Sequence, residues 1–563
     1  MTLVGTLLIA WLADIGLLER GSSERVLFAG LAMTGGLVAL LFRHQSLEIP
    51  SNRSLILIGA MLGWPLLSMA WAGYVPAALY RSLKFVLAGA VFLIAFQIPR
   101  DRMPTLGRLF SVILWVAVLY ASAEWFFSGR AWTDVGGLFR HPNLLSSLLV
   151  MVSFPVAGLV FTDQKKWKLQ AVIILALTLC LLALLQTRAA WLGLFCGSLF
   201  FGISLLFKSK TKAFGRWVSL ANLGVLGVAF GVLASNPQLM NANSMVERSA
   251  LWSNTVGLIQ ESPFIGVGAG NWQFEFMKFG VQDLPMAAKD IATFQSPHND
   301  FLWMASELGL PFALLCSLAL LWLVLKTFRS RTDVEKNDWI TTSLFLSSII
   351  AAAVISCFSF PSDRVFHLMV LACLIAFLVK RVGQVQRQSS RVLLLFIPLT
   401  ILAAVVGGCQ LWGEYHTRLI IEAKAAEQFE LLPEMCDKAS SVFYRCDPMS
   451  TPLSSYALLG YVGDPNAHDK RMELLLDSKA ISPYDPEILT NLGLEYMMGR
   501  DFVNAQKELE HALEINPFNE ASWLNLALVH FNQGAIDRAQ ECLQEIPQAG
   551  QKYPMYYQRI FGR

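Results

Sequence analysis

Residues 168–187 read KLQAVIILALTLCLLALLQT, and between Gln170 and Gln186 no side chain is charged. A helix needs roughly 20 mostly apolar residues to cross a hydrocarbon core, and this stretch supplies them. Reading outward in windows of that size gives about thirteen candidate spans. They centre on 2–18, 26–42, 54–71, 80–98, 107–127, 144–162, 168–187, 190–207, 217–234, 309–327, 339–357, 364–380 and 393–412, the first being short. Composition agrees: of 563 residues 55% are apolar and 15% charged, with a mean hydropathy of +0.50. Soluble domains average about a quarter charged residues. The expected fold class is an all-α polytopic membrane protein.

The net charge of +3 conceals two unlike parts, +12 over residues 1–412 and −9 over 413–563. The first is read as a multi-span transmembrane domain with a large polar loop at 235–297. The second is read as a water-facing helical domain whose acidity argues against nucleic acid or anionic lipid as its partner. Basic residues cluster in 43–53, 100–108, 165–168, 208–216, 326–336 and 380–391 and are scarce in 72–79, 128–143, 235–297 and 359–363. Short basic loops favour the cytoplasm, so the expected topology has a cytoplasmic amino terminus and every long polar loop, with the tail, on the outer side. No cleavable signal peptide is read at the amino end.

The tail repeats at a spacing of 34: Pro483 and Pro517, Asn491 and Asn525, Leu492 and Leu526, Ala505 and Ala539, Leu509 and Leu543. That period, with Leu489-x2-Leu492-Gly493-x2-Tyr496 echoed by Trp523-x2-Leu526-Ala527-x3-Phe531, resembles tetratricopeptide repeats at 483–516 and 517–550. About three such units are needed to bury a continuous core, so residues 414–481 are expected to be helical and to pack against them. Such a solenoid holds a protein surface or braces the outer loops, and carries no chemistry of its own.

Six of the nine cysteines lie in apolar runs as small hydrophobes. Cys436 and Cys446 stand in the polar tail, where a disulfide is expected if the compartment is oxidising. No Asp-x-Asp pair is present, and His298 with Asp300 falls short of a three- or four-ligand set, so no metal and no cofactor is expected.

The outer side concentrates three unusual segments. Gln186-Thr187-Arg188-Ala189-Ala190-Trp191 puts a guanidinium at the junction of two spans. Glu247-Arg248-Ser249-Ala250-Leu251-Trp252 opens an amphipathic stretch ending in Pro263-Phe264-Ile265-Gly266-Val267-Gly268-Ala269-Gly270-Asn271. Ser296-Pro297-His298-Asn299-Asp300 then leads through Glu307-Leu308-Gly309 into a span.

Together these segments resemble the superfamily of bacterial O-antigen ligases, O-antigen polymerases and protein O-oligosaccharyltransferases, and the repeat-bearing tail is most similar to the pilin-type protein O-oligosaccharyltransferases. The resemblance implies a GT-C-like arrangement of about 13 transmembrane helices in the bacterial inner membrane, with a periplasmic tail. It implies metal-independent transfer of a preassembled glycan from undecaprenyl pyrophosphate to the hydroxyl of an exported, pilin-like protein.

The residues can be set against that chemistry. Arg188 and Arg248 suit pyrophosphate oxygens, because guanidinium presents planar, permanently charged forks. His298 is the candidate base for the acceptor hydroxyl. Asp300 or Glu307 would orient its imidazole, and Asn299 would fix the loop. Gly266, Gly268 and Gly270 would let backbone amides approach phosphate or sugar. Arg140, His141 and Asn143, with Arg81, Lys84 and Arg364, are further outer-side candidates for the glycan or the pyrophosphate, each more readily read as an interfacial residue than as a catalytic one. Attack from the face opposite the leaving group would invert the anomeric centre. Alternatives within this chemistry are lipid A core or a growing polysaccharide as acceptor. From other classes come a transporter with a periplasmic binding module and a membrane-anchored scaffold. A transporter predicts charges near mid-membrane, whereas the notable charges here sit at one face.

Overall fold

The computed structural model describes residues 23–99, 104–235, 242–284, 294–330 and 336–562. The candidate span at 2–18 lies outside them. The membrane part runs α1 (Ser23–Arg43), β1 (Ser46–Pro50), α2 (Asn52–Leu67), α3 (Val75–Phe96), α4 (Pro104–Ser128), α5 (Pro142–Ala157), α6 (Lys165–Leu185), α7 (Arg188–Leu206) and α8 (Lys212–Ser235). It continues with α9 (Ala242–Glu261), α10 (Asp300–Leu308), α11 (Leu310–Arg329), α12 (Lys336–Ser356), α13 (Val365–Val382) and β2 (Val385–Ser389), and closes with α14 (Ile397–Ala425). Among the described residues eleven helices are long and apolar enough to cross a membrane. This is a multi-pass, all-α membrane protein.

Small residues set the helix crossings. A Cβ on Gly193 or Gly197 of α7 would stand 2.5–2.6 Å from Ile355 or Phe154, and each glycine also lies against Ala351 of α12. The four-residue spacing of these glycines lets the two backbones approach closely, as in membrane helix pairs where packing replaces the hydrophobic drive. That crossing fixes the level of α7, whose first residue is Arg188. Gly30 against Ala404 and Gly407 against Leu27 bring α1 and α14 together in the same way.

The strands β1 and β2 form an antiparallel pair from Ser46↔Ser389 to Pro50↔Val385. They lie in the basic loops 43–53 and 380–391, so those two loops share one end of the bundle. Neither strand was expected from the sequence, since each is only five residues long.

No linker separates membrane domain from tail. Helix α14 is 29 residues long and runs uninterrupted past the expected boundary at 412. After it come α15 (Leu432–Ala439), α16 (Leu453–Leu458), α17 (His468–Ile481), α18 (Pro486–Met498), α19 (Phe502–Ile515), α20 (Glu520–Asn532) and α21 (Ile536–Gln544). Asp485, Asp501 and Asn519 cap α18, α19 and α20 by accepting from backbone N–H groups of the first turn.

The tail is docked rather than suspended. Val281 N–H donates to Ile515 O at 3.0 Å, Gln295 Nε2 to Pro448 O at 2.7 Å, and Arg445 N–H to the Tyr74 hydroxyl at 3.2 Å. The α15–α16 loop and the end of α19 therefore brace the turn at Tyr74 and the segments at Val281 and Gln295. The expected Cys436–Cys446 disulfide is absent: both are free cysteines. Cys436 packs with Ile420, Leu432 and Tyr444, while Cys446 joins the cluster of Tyr74, Phe274 and Ile481. The tail fold assigns the two thiols to different packing clusters, a separation that spacing in sequence does not report.

Candidate functional site

The turn between α12 and α13 organises one end of the bundle around Phe360, which is 5% exposed. The His298 ring meets it edge to face at 5.1 Å between centroids, and the His141 ring does so at 5.8 Å. The Arg364 guanidinium lies 5.9 Å from the same centroid. Three segments remote in sequence thus share one aromatic hub, at separations typical of favourable ring pairs. His298 itself has φ +54°, a left-handed conformation uncommon for a residue with a side chain. Outliers of this kind persist only where the surroundings hold them, and they cluster at functional sites.

The surroundings here are specific. Trp252 Nε1 on α9 donates to Pro297 O at 2.7 Å, fixing the residue before His298. Asn299 caps α10, its Oδ1 accepting from Phe301 N–H at 3.0 Å and Leu302 N–H at 3.1 Å. Arg248 precedes Trp252 by four residues, about one helical turn, and so leaves α9 on the same face as the indole that holds Pro297. Burial lowers the Arg248 pKa from its ordinary value, and the nearby Arg188 charge adds to that, against the opposing pull of Glu247. Among the described residues no carboxylate stands within salt-bridge distance of Arg188 or Arg248. Two adjacent cations without a paired anion make a site that favours a phosphate-like ligand.

Two expectations are corrected. The described hydrogen bonds of Asp300 and Glu307 run to groups other than the His298 imidazole. The Asp300 carboxylate accepts from Ser356 Oγ at 2.8 Å, Ser362 N–H at 3.1 Å and Ser362 Oγ at 2.5 Å, which ties α10 to the turn carrying Phe360. Burial pushes its pKa up to about 6, against those hydrogen bonds. Glu307 accepts from Trp303 Nε1 at 2.7 Å and pairs with Arg81 Nε at 3.7 Å. Burial raises its pKa while Arg81 and the Gly270 amide oppose the rise.

The glycine loop is likewise not an open cradle. Gly266 N–H donates to Ser262 O at 3.0 Å, Gly268 N–H to Glu307 O at 2.9 Å, and the Gly270 amide to the Glu307 carboxylate. Its amides are committed to the chain itself, so the loop clamps α10 and offers none of these three donors to a ligand.

The secondary candidates separate into two groups. Arg81 and Lys84 on α3 converge on Asp363 at 2.6 and 3.0 Å, and Arg364 lies 3.5 Å from it. Burial alone would raise the Asp363 pKa, but Lys84, Arg364 and Arg81 hold it well below the usual carboxylate range. Arg81 also covers the Trp303 ring at 3.9 Å. These cations are engaged with protein. His141 Nδ1 accepts from Asn143 N–H at 3.2 Å as the cap of α5, next to Arg140 at φ +51°. Sequence reasoning missed Phe360, Trp252 and Trp303, because an aromatic residue at a span boundary looks the same whether it builds a site or belts the membrane.

Two cavities adjoin this end. A polar one of about 100 Å³ is bounded by Arg81, Gln273, Gln295 and Glu307 and by Asp447 of the tail. An apolar one of about 310 Å³ lies between α2, α3, α11, α12 and α13, with Asp300, Ser356 and Ser362 among its lining residues.

Residues 173–317, which include Arg188, Arg248, the glycine loop, His298 and Glu307, match the family model described as O-antigen ligase. Residues 496–558 match a tetratricopeptide-repeat model. No curated protein matches the chain. Over 173–317 the chain is therefore similar to O-antigen ligases, a family of membrane glycosyl-transfer enzymes, and over 496–558 to tetratricopeptide repeats.

Proposed function

We propose that the protein transfers a preassembled oligosaccharide from undecaprenyl pyrophosphate to a Ser or Thr hydroxyl of an exported, pilin-like protein, at the periplasmic face of the bacterial inner membrane. The observation that supports this reading is that Arg188 and Arg248 act on one another electrostatically without an ion-pair partner among the described residues, while Trp252, one turn on from Arg248, holds Pro297 next to His298. The two guanidiniums hold the pyrophosphate oxygens. The His298 imidazole takes the proton of the acceptor hydroxyl as its oxygen bonds to the anomeric carbon. The bond from that carbon to the phosphate oxygen breaks, and the electron pair leaves with the lipid pyrophosphate. One displacement from the opposite face inverts the anomeric centre. The apolar cavity beside Asp300 takes the first isoprenoid units, whose burial needs no polar partner. The tail favours a polypeptide acceptor, because helical-repeat surfaces suit extended protein segments. A second reading, ligation of O-antigen, is favoured by the description of the matched family itself.

The test is glycan transfer in vesicles containing the full-length protein, lipid-linked donor and either pilin-like protein or lipid A core. His298→Ala is expected to lower the transfer rate by about 10²–10⁴-fold with donor binding retained. Unchanged transfer would remove the assignment of the base. Transfer only to lipid A core would replace the first reading by the second.

A further inference from the structure

The turn Pro263-Phe264-Ile265 turns its apolar side chains away from the protein: Phe264 is 73% exposed and Ile265 41%. This exposure does not come from a loosely held loop. Leu310 N–H donates to Pro263 O at 2.8 Å, and Val267 N–H to Ser306 O at 2.9 Å. Gly266 and Gly309, at φ +68° and +85°, allow the two strands of chain to touch. A Cβ on the first would stand 2.3 Å from the Glu307 carbonyl carbon, and one on the second 2.2 Å from Phe264 O. Two indoles complete the lock, Trp71 Nε1 donating to Ile265 O at 3.2 Å and Trp64 Nε1 to Leu308 O at 2.8 Å. A backbone fixed in this way has no means of folding Phe264 inward.

The neighbouring surface identifies what covers it. Leu310, Leu314, Leu318, Leu321 and Leu325 are 42–60% exposed, and their spacing puts them on one face of α11, a helix apolar enough to span a membrane. That face is the lipid-facing one. Because Pro263 is hydrogen-bonded to Leu310, the first residue of α11, Phe264 and Ile265 extend the same apolar row outward past the helix end. Tryptophans whose N–H groups are satisfied at that level are typical of the bilayer interface.

We propose that Pro263–Ile265 is an interfacial anchor, inserted among the lipid headgroups and upper acyl chains at the end of the bundle that carries His298. Its partner is the bilayer itself. Such insertion buries apolar surface about 5–10 Å into the headgroup boundary. Through Ser306 and Glu307 it sets the depth at which α10 and the His298 loop stand. The proposal holds whatever reaction the site performs.

The test uses the full-length protein in phospholipid vesicles, with a fluorescent non-natural residue at position 264, in a second variant at 265, and in a control at Val503, an exposed tail residue. Lipids brominated near the top of the acyl chain are expected to quench emission at 264 and 265 and not at 503, as insertion to the headgroup boundary requires, while aqueous iodide quenches them far less than at 503. Iodide quenching at both positions equal to that at 503 overturns the proposal. So does protection from both quenchers, which would mean that a second copy or another protein covers the turn.

Discussion

Asp363 is a sensitive position, because three cations share its carboxylate. Arg81 and Lys84 reach Asp363 Oδ1 at 2.6 and 3.0 Å, and Arg364 reaches Oδ2 at 3.5 Å, with the three cationic side chains only 3–5% exposed. Asp363→Leu deletes the shared anion and leaves Arg81 with Glu307 at 3.7 Å as its remaining salt-bridge carboxylate among the described residues. Removing one partner of a buried ion pair costs about 3–5 kcal/mol, more than deleting both, because the stranded charge remains desolvated. Arg81→Met and Asp363→Leu together are therefore expected to cost about 1–3 kcal/mol less than the sum of the two single variants, the coupling found between residues in one network. Reversible unfolding of the intact protein in mixed detergent and lipid micelles, run on both single variants and the double, closes the cycle. The sign with pH is also fixed. A carboxylate held below its unfolded pKa contributes stability above that unfolded value and loses it as pH falls through the folded one. The reasoning is refuted if the two substitutions add to within roughly 0.5 kcal/mol.

The remaining predictions concern the site and its clamp. Arg248→Ala is expected to reduce turnover of the lipid-linked donor by about 10–100-fold, the worth of a hydrogen bond to a charged group, with Arg248→Lys in between; donor titration of both variants checks the order. Gly268→Ala puts a Cβ 2.6 Å from Ala72 at φ +97°, and such overpacking is expected to cost about 1–3 kcal/mol of stability in the same unfolding assay. Asp300, with its pKa pushed up to about 6 by burial, binds more protons folded than unfolded between about pH 4 and 6. Its contribution to stability therefore falls as pH rises through that window, and Asp300→Asn is expected to flatten that segment of the stability profile; an unchanged slope counts against the assignment.

The spans and the repeats were legible because they are local patterns: 15 uncharged residues between Gln170 and Gln186, or a spacing of 34 from Pro483 to Pro517, need no knowledge of what lies across the fold. The β1–β2 pair was not, since five residues such as SLEIP and VQRQS carry no strand signal of their own until they meet. The site divides on the same line. Arg188, Arg248 and His298 stood out as residue types unusual beside apolar runs, whereas Phe360 acquires its role only from the His298 and His141 rings that flank it. The glycine loop shows why a motif read locally misleads. Gly266, Gly268 and Gly270 would look identical whether their amides face a ligand or their own chain, and the choice is made by Ser262 within the loop and by Glu307 far along the sequence. With those amides engaged, and with Asp300, Glu307 and Asp363 each held by protein donors, the function proposed above would leave the binding of an anion at this end to the guanidiniums of α7 and α9. That division of labour is physically economical. Backbone and carboxylates make the frame rigid, and on the proposed function a bound phosphate would offset the repulsion that Arg188 exerts on Arg248.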